Sequence, residues 1–377
     1  MSIRVGVIGT GVMGADHVRN LHSTVSGATV SVVADLDQER AKSVASAVGA
    51  RWVTDPLKLI NDAGVDAVVI ASHDSTHADL TLAAVEAGKP VLCEKPLAVT
   101  AEDCRRVAAA ENPESPLVSV GFMRRFDPGY VALKAETHSG RIGDPLIVHC
   151  SSRTVSAYPG GSSESTVTNS AIHELDIVPW ILNSPVVAAS WHCGRSSSLV
   201  TDRQDPQIIM LRTADGVLTT VEVFLNARYG YDTRCEVVGE IGAARLAEPV
   251  VIHTDADRSH SYGYVADWIP RFAESYRRQF QEWIDALSTG RPSTLATAAD
   301  GLRANLVAAA VTSRCTPRGQ LSRSSPWGKV SEVFLMDFRG SFDGFSLAVF
   351  EVQRILNTAG KAPNDSITDR PHRAVRR

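Results

Sequence analysis

Long apolar runs are missing from this chain. None approaches the 18 or so residues that a membrane-spanning helix requires, so no span is expected. Paired cysteines are missing too. The six cysteines (Cys93, Cys104, Cys150, Cys193, Cys235 and Cys315) are scattered, and none forms a C-x-x-C. That usage predicts free thiols in a reducing, cytoplasmic setting rather than a disulfide framework. Excess charge of one sign is lacking: 38 Lys and Arg face 42 Asp and Glu, for a net charge of -4. Neither nucleic acid nor an anionic membrane is therefore an expected partner. Internal repeats are absent. Met1 to Gly9 already reads as a buried strand, which leaves no room for a signal peptide.

What is present is a 377-residue chain, 44% hydrophobic and 21% charged, long enough for two ordinary domains. Up to about residue 123, short apolar runs alternate with helical patterns. Strands are expected at Ile3–Ile8, Val30–Ala34, Ala67–Ala71, Pro90–Cys93 and Leu117–Gly121. Helices are expected from Val12 to about Val25, over Gln38–Val48 and over Ala78–Ala87, with another capped by Thr100 and Asp103. Short strands alternating with helices imply an α/β fold with a parallel sheet covered on both faces. After Arg124 the pattern changes. Pro145–Ser151, Ile208–Thr213, Val217–Leu225 and Cys235–Val238 read as strands of a largely antiparallel or mixed sheet, with a hairpin turn at Ala214-Asp215-Gly216. Helices are expected over Thr166–Leu182 and Phe272–Ser288, continuing after Thr297. The division is thus 1–123, 124–316, and a Ser- and Arg-rich extension over 317–377 that includes an apolar piece at Phe345–Leu356.

Gly9-Thr10-Gly11-Val12-Met13-Gly14 is a G-x-G-x-x-G that closes the first strand and opens the first helix. In that context it predicts a dinucleotide site. Gly9 makes the turn, Gly11 admits the pyrophosphate, and Gly14 lets helix and strand pack closely. The helix N-terminus offers free N–H groups to phosphate. Asp35 ends the second strand about twenty residues further on, where a carboxylate binds the ribose hydroxyls and repels a 2′-phosphate. No Arg follows at once in Leu36-Asp37-Gln38, so NAD is expected over NADP.

Glu94-Lys95-Pro96 follows the fourth expected strand, at the carboxyl end where parallel sheets place ligands. Lys95 there can bond a substrate hydroxyl, and burial beside a cationic nicotinamide would lower its pKa. Taken alone, the tripeptide could equally be an ordinary loop. Asn169, His173 and Asp176 have the spacing of one helix face. His173 can accept a hydroxyl proton. Asp176 can hold its imidazole in one tautomer, and Asn169 can bond a further hydroxyl. Without the dinucleotide site, a surface histidine in a helix salt link would explain the same residues. His73 and His77 have the i, i+4 spacing of metal ligands. No suitable third ligand is evident, so Ser72, His73 and His77 are assigned to the cofactor and no metal is expected.

Together these residues resemble the Gfo/Idh/MocA oxidoreductase family, over roughly residues 1–315, and within it the inositol 2-dehydrogenases. The markers are the glycine motif, Glu94-Lys95-Pro96, Met123-Arg124-Arg125-Phe126-Asp127-Pro128-Gly129-Tyr130, Ile172-His173-Glu174-Leu175-Asp176 and Tyr229-Gly230-Tyr231-Asp232. The resemblance implies an N-terminal Rossmann domain and a C-terminal domain with an open, mostly antiparallel sheet whose free face pairs subunits, often as tetramers. It implies NAD-dependent oxidation of a ring hydroxyl of a cyclitol, with Lys95 and His173 catalytic. Met123, Arg124, Asp176, Thr154 and Tyr231 fall near the substrate, and Glu94 near the cofactor. A cyclic-sugar or aminocyclitol dehydrogenase, or a non-catalytic NAD-binding regulator, are the other readings. Two positions depart from the pattern. Asn169 stands where inositol dehydrogenases usually carry Asp, and Thr154 follows Arg153 where Asn is usual. A stereoisomer or modified cyclitol is therefore a candidate substrate.

Overall fold

The computed structural model describes residues 2–112, 114–247, 252–313 and 334–335. The first half is β1 (Ile3–Ile8), α1 (Val12–Ser23), β2 (Ala28–Ala34), α2 (Gln38–Val48), β3 (Arg51–Val53), α3 (Pro56–Ile60), β4 (Ala67–Ile70), α4 (His77–Glu86), β5 (Val91–Cys93), α5 (Ala101–Ala110) and β6 (Val118–Val120). These strands are parallel and stand in the order β6-β5-β4-β1-β2-β3. Both faces of the sheet are covered. Ala67, Val68, Val69 and Ile70 are therefore all buried, which is why this strand reads as a continuous apolar run rather than an alternating one. β3 escaped the sequence reading because Arg51, Trp52 and Val53 lie at the sheet edge, partly exposed, and show no apolar run. Helix ends follow their caps: Asp37 accepts from the Arg40 amide, and Thr100 from the Asp103 amide.

The second half begins with α6 (Pro128–Thr137), β7 (Pro145–Arg153), α7 (Ser163–Ser165) and α8 (Ile172–Leu182). It continues through β8 (Val186–Cys193), β9 (Gln207–Thr213), β10 (Leu218–Phe224), β11 (Asp232–Gly239), β12 (Ala243–Arg245), the hairpin β13 (Thr254–Ala256) and β14 (Ser259–Ser261), α9 (Trp268–Thr289), β15 (Ala296–Thr297) and α10 (Ala298–Thr312). The second sheet runs β12-β11-β7-β10-β9-β8, with one parallel pair, β7 and β10, among antiparallel neighbours. Gly216 takes φ +87° in the expected hairpin turn between β9 and β10. One face of this sheet is buried through Val148, Ile209, Leu211, Val221 and Val223. The other presents Ile147, Ile208 and Leu218 to solvent, the alternation of a sheet with one open side.

Two expectations change. The helix expected over Thr166–Leu182 starts earlier, at a Ser162–Ser165 capping box, and passes through a π-helical stretch at Thr166–Ala171 before α8. The chain also returns to the first sheet: β15 pairs antiparallel with β6, and Phe280, Trp283 and Ile284 of α9 pack in the core under β1 and α1. Residues expected to belong wholly to the second domain thus finish the first. The expected extension lies outside the described residues, except Phe334–Leu335, which pair antiparallel with β8.

Candidate active site

The loops at the carboxyl ends of β1, β4 and β5 line one side of a cleft of about 1160 Å³, and β7 and the helix of His173 line the other. β1 and β4 flank the point where the strand order reverses, the place where open parallel sheets bind ligands. The glycine loop fits a dinucleotide. A Cβ on Gly14 would lie 1.8 Å from the Gly9 carbonyl oxygen, so the helix can approach the strand only with glycine there. A Cβ on Gly11 would meet nothing within 4 Å, which leaves open space in front of the helix N-terminus where a pyrophosphate belongs. Val12 and Met13 line the same mouth.

Asp35 lines the cleft at the end of β2, and its carboxylate is crowded with donors. Its Oδ2 accepts from the Thr10 amide at 2.7 Å and the Thr10 hydroxyl at 2.8 Å, and Arg40 donates to both oxygens. Although burial opposes it, these bonds hold the carboxyl well below the usual range. Arg40 stands just beyond the Leu36-Asp37-Gln38 stretch: it lies in the first turn of α2, where the helix brings it back over Asp35. Four residues of spacing hid it from a reading of the immediate sequence.

On β5's loop, Lys95 is half-buried and its Nζ donates to the Asn169 backbone carbonyl oxygen at 3.1 Å, across the cleft. Burial lowers its pKa, Glu94 opposes that, and Arg124 adds to it. Glu94 is itself buried. Its Oε1 lies 2.7 Å from His17 Nε2, and its Oε2 accepts from the Lys95 amide. Burial is the largest single influence and works against its charge, but His17, the Lys95 ammonium and the Lys95 amide together outweigh it and keep its pKa low. His17, on α1 and packed edge-on to Phe280, is a site residue that the sequence analysis missed. A buried histidine facing a carboxylate from another strand leaves no local pattern.

His173 is half-buried and lines the cleft, and its buried Nδ1 has no hydrogen-bond partner among the described residues. Burial, then Arg124 and Lys95, depress its pKa well below the ordinary value, so the ring is neutral and able to accept a proton. Asp176 does not hold it. Its carboxylate accepts from Arg125 Nε at 3.0 Å and from a second Arg125 nitrogen at 2.5 Å, and it does not line the cleft. Burial pushes the Asp176 carboxyl up to about 6 against the pull of Arg125. The helix face that carries Asp176 turns towards Arg125, not towards the ring.

Met123, Arg124, Thr154 and Tyr231 all reach the cleft. Arg124 is 2% exposed and pairs with Glu174, with a second bond to the Ser152 hydroxyl at 3.3 Å. Its guanidinium lies 5.6 Å from the Phe272 ring centre. Thr154 donates to the Leu225 carbonyl at 2.6 Å. His73 and Ser72 line the cofactor side, and His73 bonds Ser75 and Asp74. His77 lines it too, but both its ring nitrogens are taken by backbone carbonyls.

Two family models cover the chain. The oxidoreductase family with an NAD-binding Rossmann fold matches residues 3–122, and its C-terminal α/β domain matches residues 134–321. This chain belongs to the Gfo/Idh/MocA family. It is an NAD-dependent oxidoreductase acting on CH–OH groups. Among its relatives, inositol 2-dehydrogenase 2 of Paenarthrobacter aurescens is 55% identical, over 82% of this chain and 95% of the relative. Inositol 2-dehydrogenase 1 of Saccharopolyspora erythraea is 50% identical, over 82% and 93%. The crystal structure of myo-inositol dehydrogenase from Lactobacillus casei, in complex with NAD(H) and myo-inositol, superposes with a TM-score of 0.83 at 32% identity. It covers 90% of this chain and 98% of that one.

Proposed function

We propose that this protein oxidises a ring hydroxyl of myo-inositol or a related cyclitol to the ketone, with NAD as the acceptor. One observation carries the reading: Lys95 and His173, an amine and an imidazole with depressed pKa values, line the cleft into which the glycine loop opens. The names of the relatives support the same substrate class. Bound NAD supplies a two-electron acceptor at the carbon bearing the hydroxyl.

The chain supplies the rest. His173, neutral at physiological pH, accepts the hydroxyl proton. Lys95 donates to the same oxygen and stabilises the charge that builds there. Met123, Arg124, Thr154, Asn169 and Tyr231 surround the ring of the substrate. Gly9, Gly11, Val12, Met13, Gly14, Asp35, Ser72, His73 and Glu94 form the cofactor side. Asp176 acts at one remove, by fixing Arg125. Partial burial of both reacting groups limits water at the site, and holding them in place on the two walls of the cleft fixes their approach, which is where much of the rate arises.

Association follows from the second sheet. Its outward face sets Ile147, Ile208 and Leu218 among polar and charged side chains such as His149, Arg212 and Glu222; pairing it with a second copy would give a dimer, and two such dimers the homotetramer of a cytoplasmic enzyme. The test of function is direct. The full chain is incubated with NAD and a panel of inositol isomers, aminocyclitols and cyclic sugars while NADH absorbance is followed. Turnover of a cyclitol supports the reading; turnover of sugars alone, or of nothing, overturns it. Light scattering of the same sample checks the tetramer.

A further inference from the structure

Two carbonyl oxygens face one imidazole where the cofactor loop meets the lysine loop. His77 is the first residue of α4 and is 2% exposed. Its Nδ1 lies 2.7 Å from the Pro96 carbonyl oxygen and its Nε2 lies 3.1 Å from the Ser72 carbonyl oxygen. A carbonyl can only accept. A neutral imidazole has one N–H, so it would satisfy one carbonyl and turn a lone pair on the other. The imidazolium has two and satisfies both. The carbonyls belong to the two segments that carry the chemistry. Ser72 is on the loop after β4 that lines the cofactor side, and Pro96 directly follows Lys95.

We propose that His77 is a positioning residue which, as the doubly protonated imidazolium, ties the loop after β4 to the Lys95-Pro96 segment and so fixes Lys95 relative to the bound dinucleotide. The proposal rests on Lys95 as the group that acts on the substrate. A staple of this kind suits the task, because a displacement of one ångström at a reacting group can cost about a hundredfold in rate.

The surroundings permit the charge. Cys93, on β5, is the titratable group that acts on the ring, and its thiol donates to the Glu94 carbonyl at 3.4 Å. His73 and Asp74 lie on the preceding turn, Asp79 one step along α4, and Lys95 on the facing loop. Burial opposes protonation, while the Pro96 and Ser72 carbonyls favour it, as does Cys93 when its sulfur is the thiolate; together they hold the ring's pKa up to about 9. The sign follows from linkage. A histidine raised in the fold contributes stability that is complete below its ordinary value of 6.5 and is lost as pH rises through about 9.

The first test is nuclear magnetic resonance on the full chain carrying 15N-labelled histidine. At pH 8, where an ordinary histidine is neutral, His77 should show the imidazolium pattern, assigned by its disappearance in His77→Gln. If that variant does not fold, labelling proline carbonyls with 13C assigns the ring through its bond to Pro96. A neutral tautomer at pH 8 overturns the proposal. The second test is kinetic. His77→Gln should lower kcat about tenfold, with the KM for the cyclitol within twofold; an unchanged kcat also overturns it. Lys95→Met separates the two readings. If it keeps turnover, the assignment of Lys95 fails whatever His77 shows. If it silences the enzyme while His77 is neutral, the staple alone fails.

Discussion

Asp176 gives both carboxylate oxygens to Arg125, at 3.0 and 2.5 Å, and none to His173 one helical turn before it. Arg125 is completed by Asp300 at 3.4 Å, at the start of α10. The pair therefore locks α8 to the chain's last described helix, and does not extend the proposed pair of Lys95 and His173. Removing it should be a stability defect. Asp176→Ala leaves a mostly buried guanidinium short of its main partner, which costs on the order of 3 kcal/mol. A lower melting temperature is expected, with kcat of the folded enzyme within about threefold. A kcat reduced by orders of magnitude at unchanged melting temperature would return Asp176 to the imidazole.

The contrast shows what a sequence can carry. β1, β2 and β4 and the glycine loop were legible because a doubly covered parallel strand carries apolar residues on both faces, throughout in β4 and over most of β1 and β2, and because the turn to α1 has its own motif. Lys95 and His173 were legible through their place after a strand and on a helix. Whom Asp176 faces was not, since i, i+3 spacing says two residues share a face and nothing about a third group packed against it. The Glu94 and His17 bond joins residues 77 positions apart and was invisible for the same reason. The return of α9 and β15 to the first sheet is a matter of tertiary packing that no local pattern announces.

Asp35 and Arg40 are placed to set the choice of cofactor. While the carboxylate is present, it occupies the guanidinium and repels a 2′-phosphate. Asp35→Ser should weaken NAD binding and release Arg40 to pair with a phosphate. The ratio of kcat/KM for NADP to that for NAD should rise at least tenfold, about 1.4 kcal/mol. Asp35→Ser combined with Arg40→Ala should lose the gain for NADP. A gain that survives the loss of Arg40 would place the phosphate elsewhere.

Asn169 presents its carbonyl to the Lys95 amine at 3.1 Å, and its side chain lines the cleft. Asn169→Asp adds an anion beside that amine and favours the ammonium. The lysine's pKa, now lowered by burial, should rise, and the basic limb of the kcat profile should move up by roughly one pH unit. Turnover of myo-inositol should improve relative to other cyclitols if Asn169 reads the hydroxyl pattern. An unmoved limb would mean that the side chain is not near the amine during catalysis.

Gly11 and Gly14 separate binding from folding within one motif. A methyl on Gly14 strikes the Gly9 carbonyl at 1.8 Å, backbone against backbone, and neither can yield without moving α1 off β1. Gly14→Ala should therefore unfold or strongly destabilise the chain with or without NAD. A methyl on Gly11 meets only open space, and its φ of -67° suits any residue. Gly11→Ala should thus keep the melting temperature of the free protein within about 2 °C. What it should lose is the rise in melting temperature on adding NAD, because a ligand stabilises only as far as its concentration exceeds its dissociation constant. If Gly11→Ala retained that rise in full, the space in front of the helix would not be where the pyrophosphate lies, and the cofactor's path along the cleft would have to be redrawn.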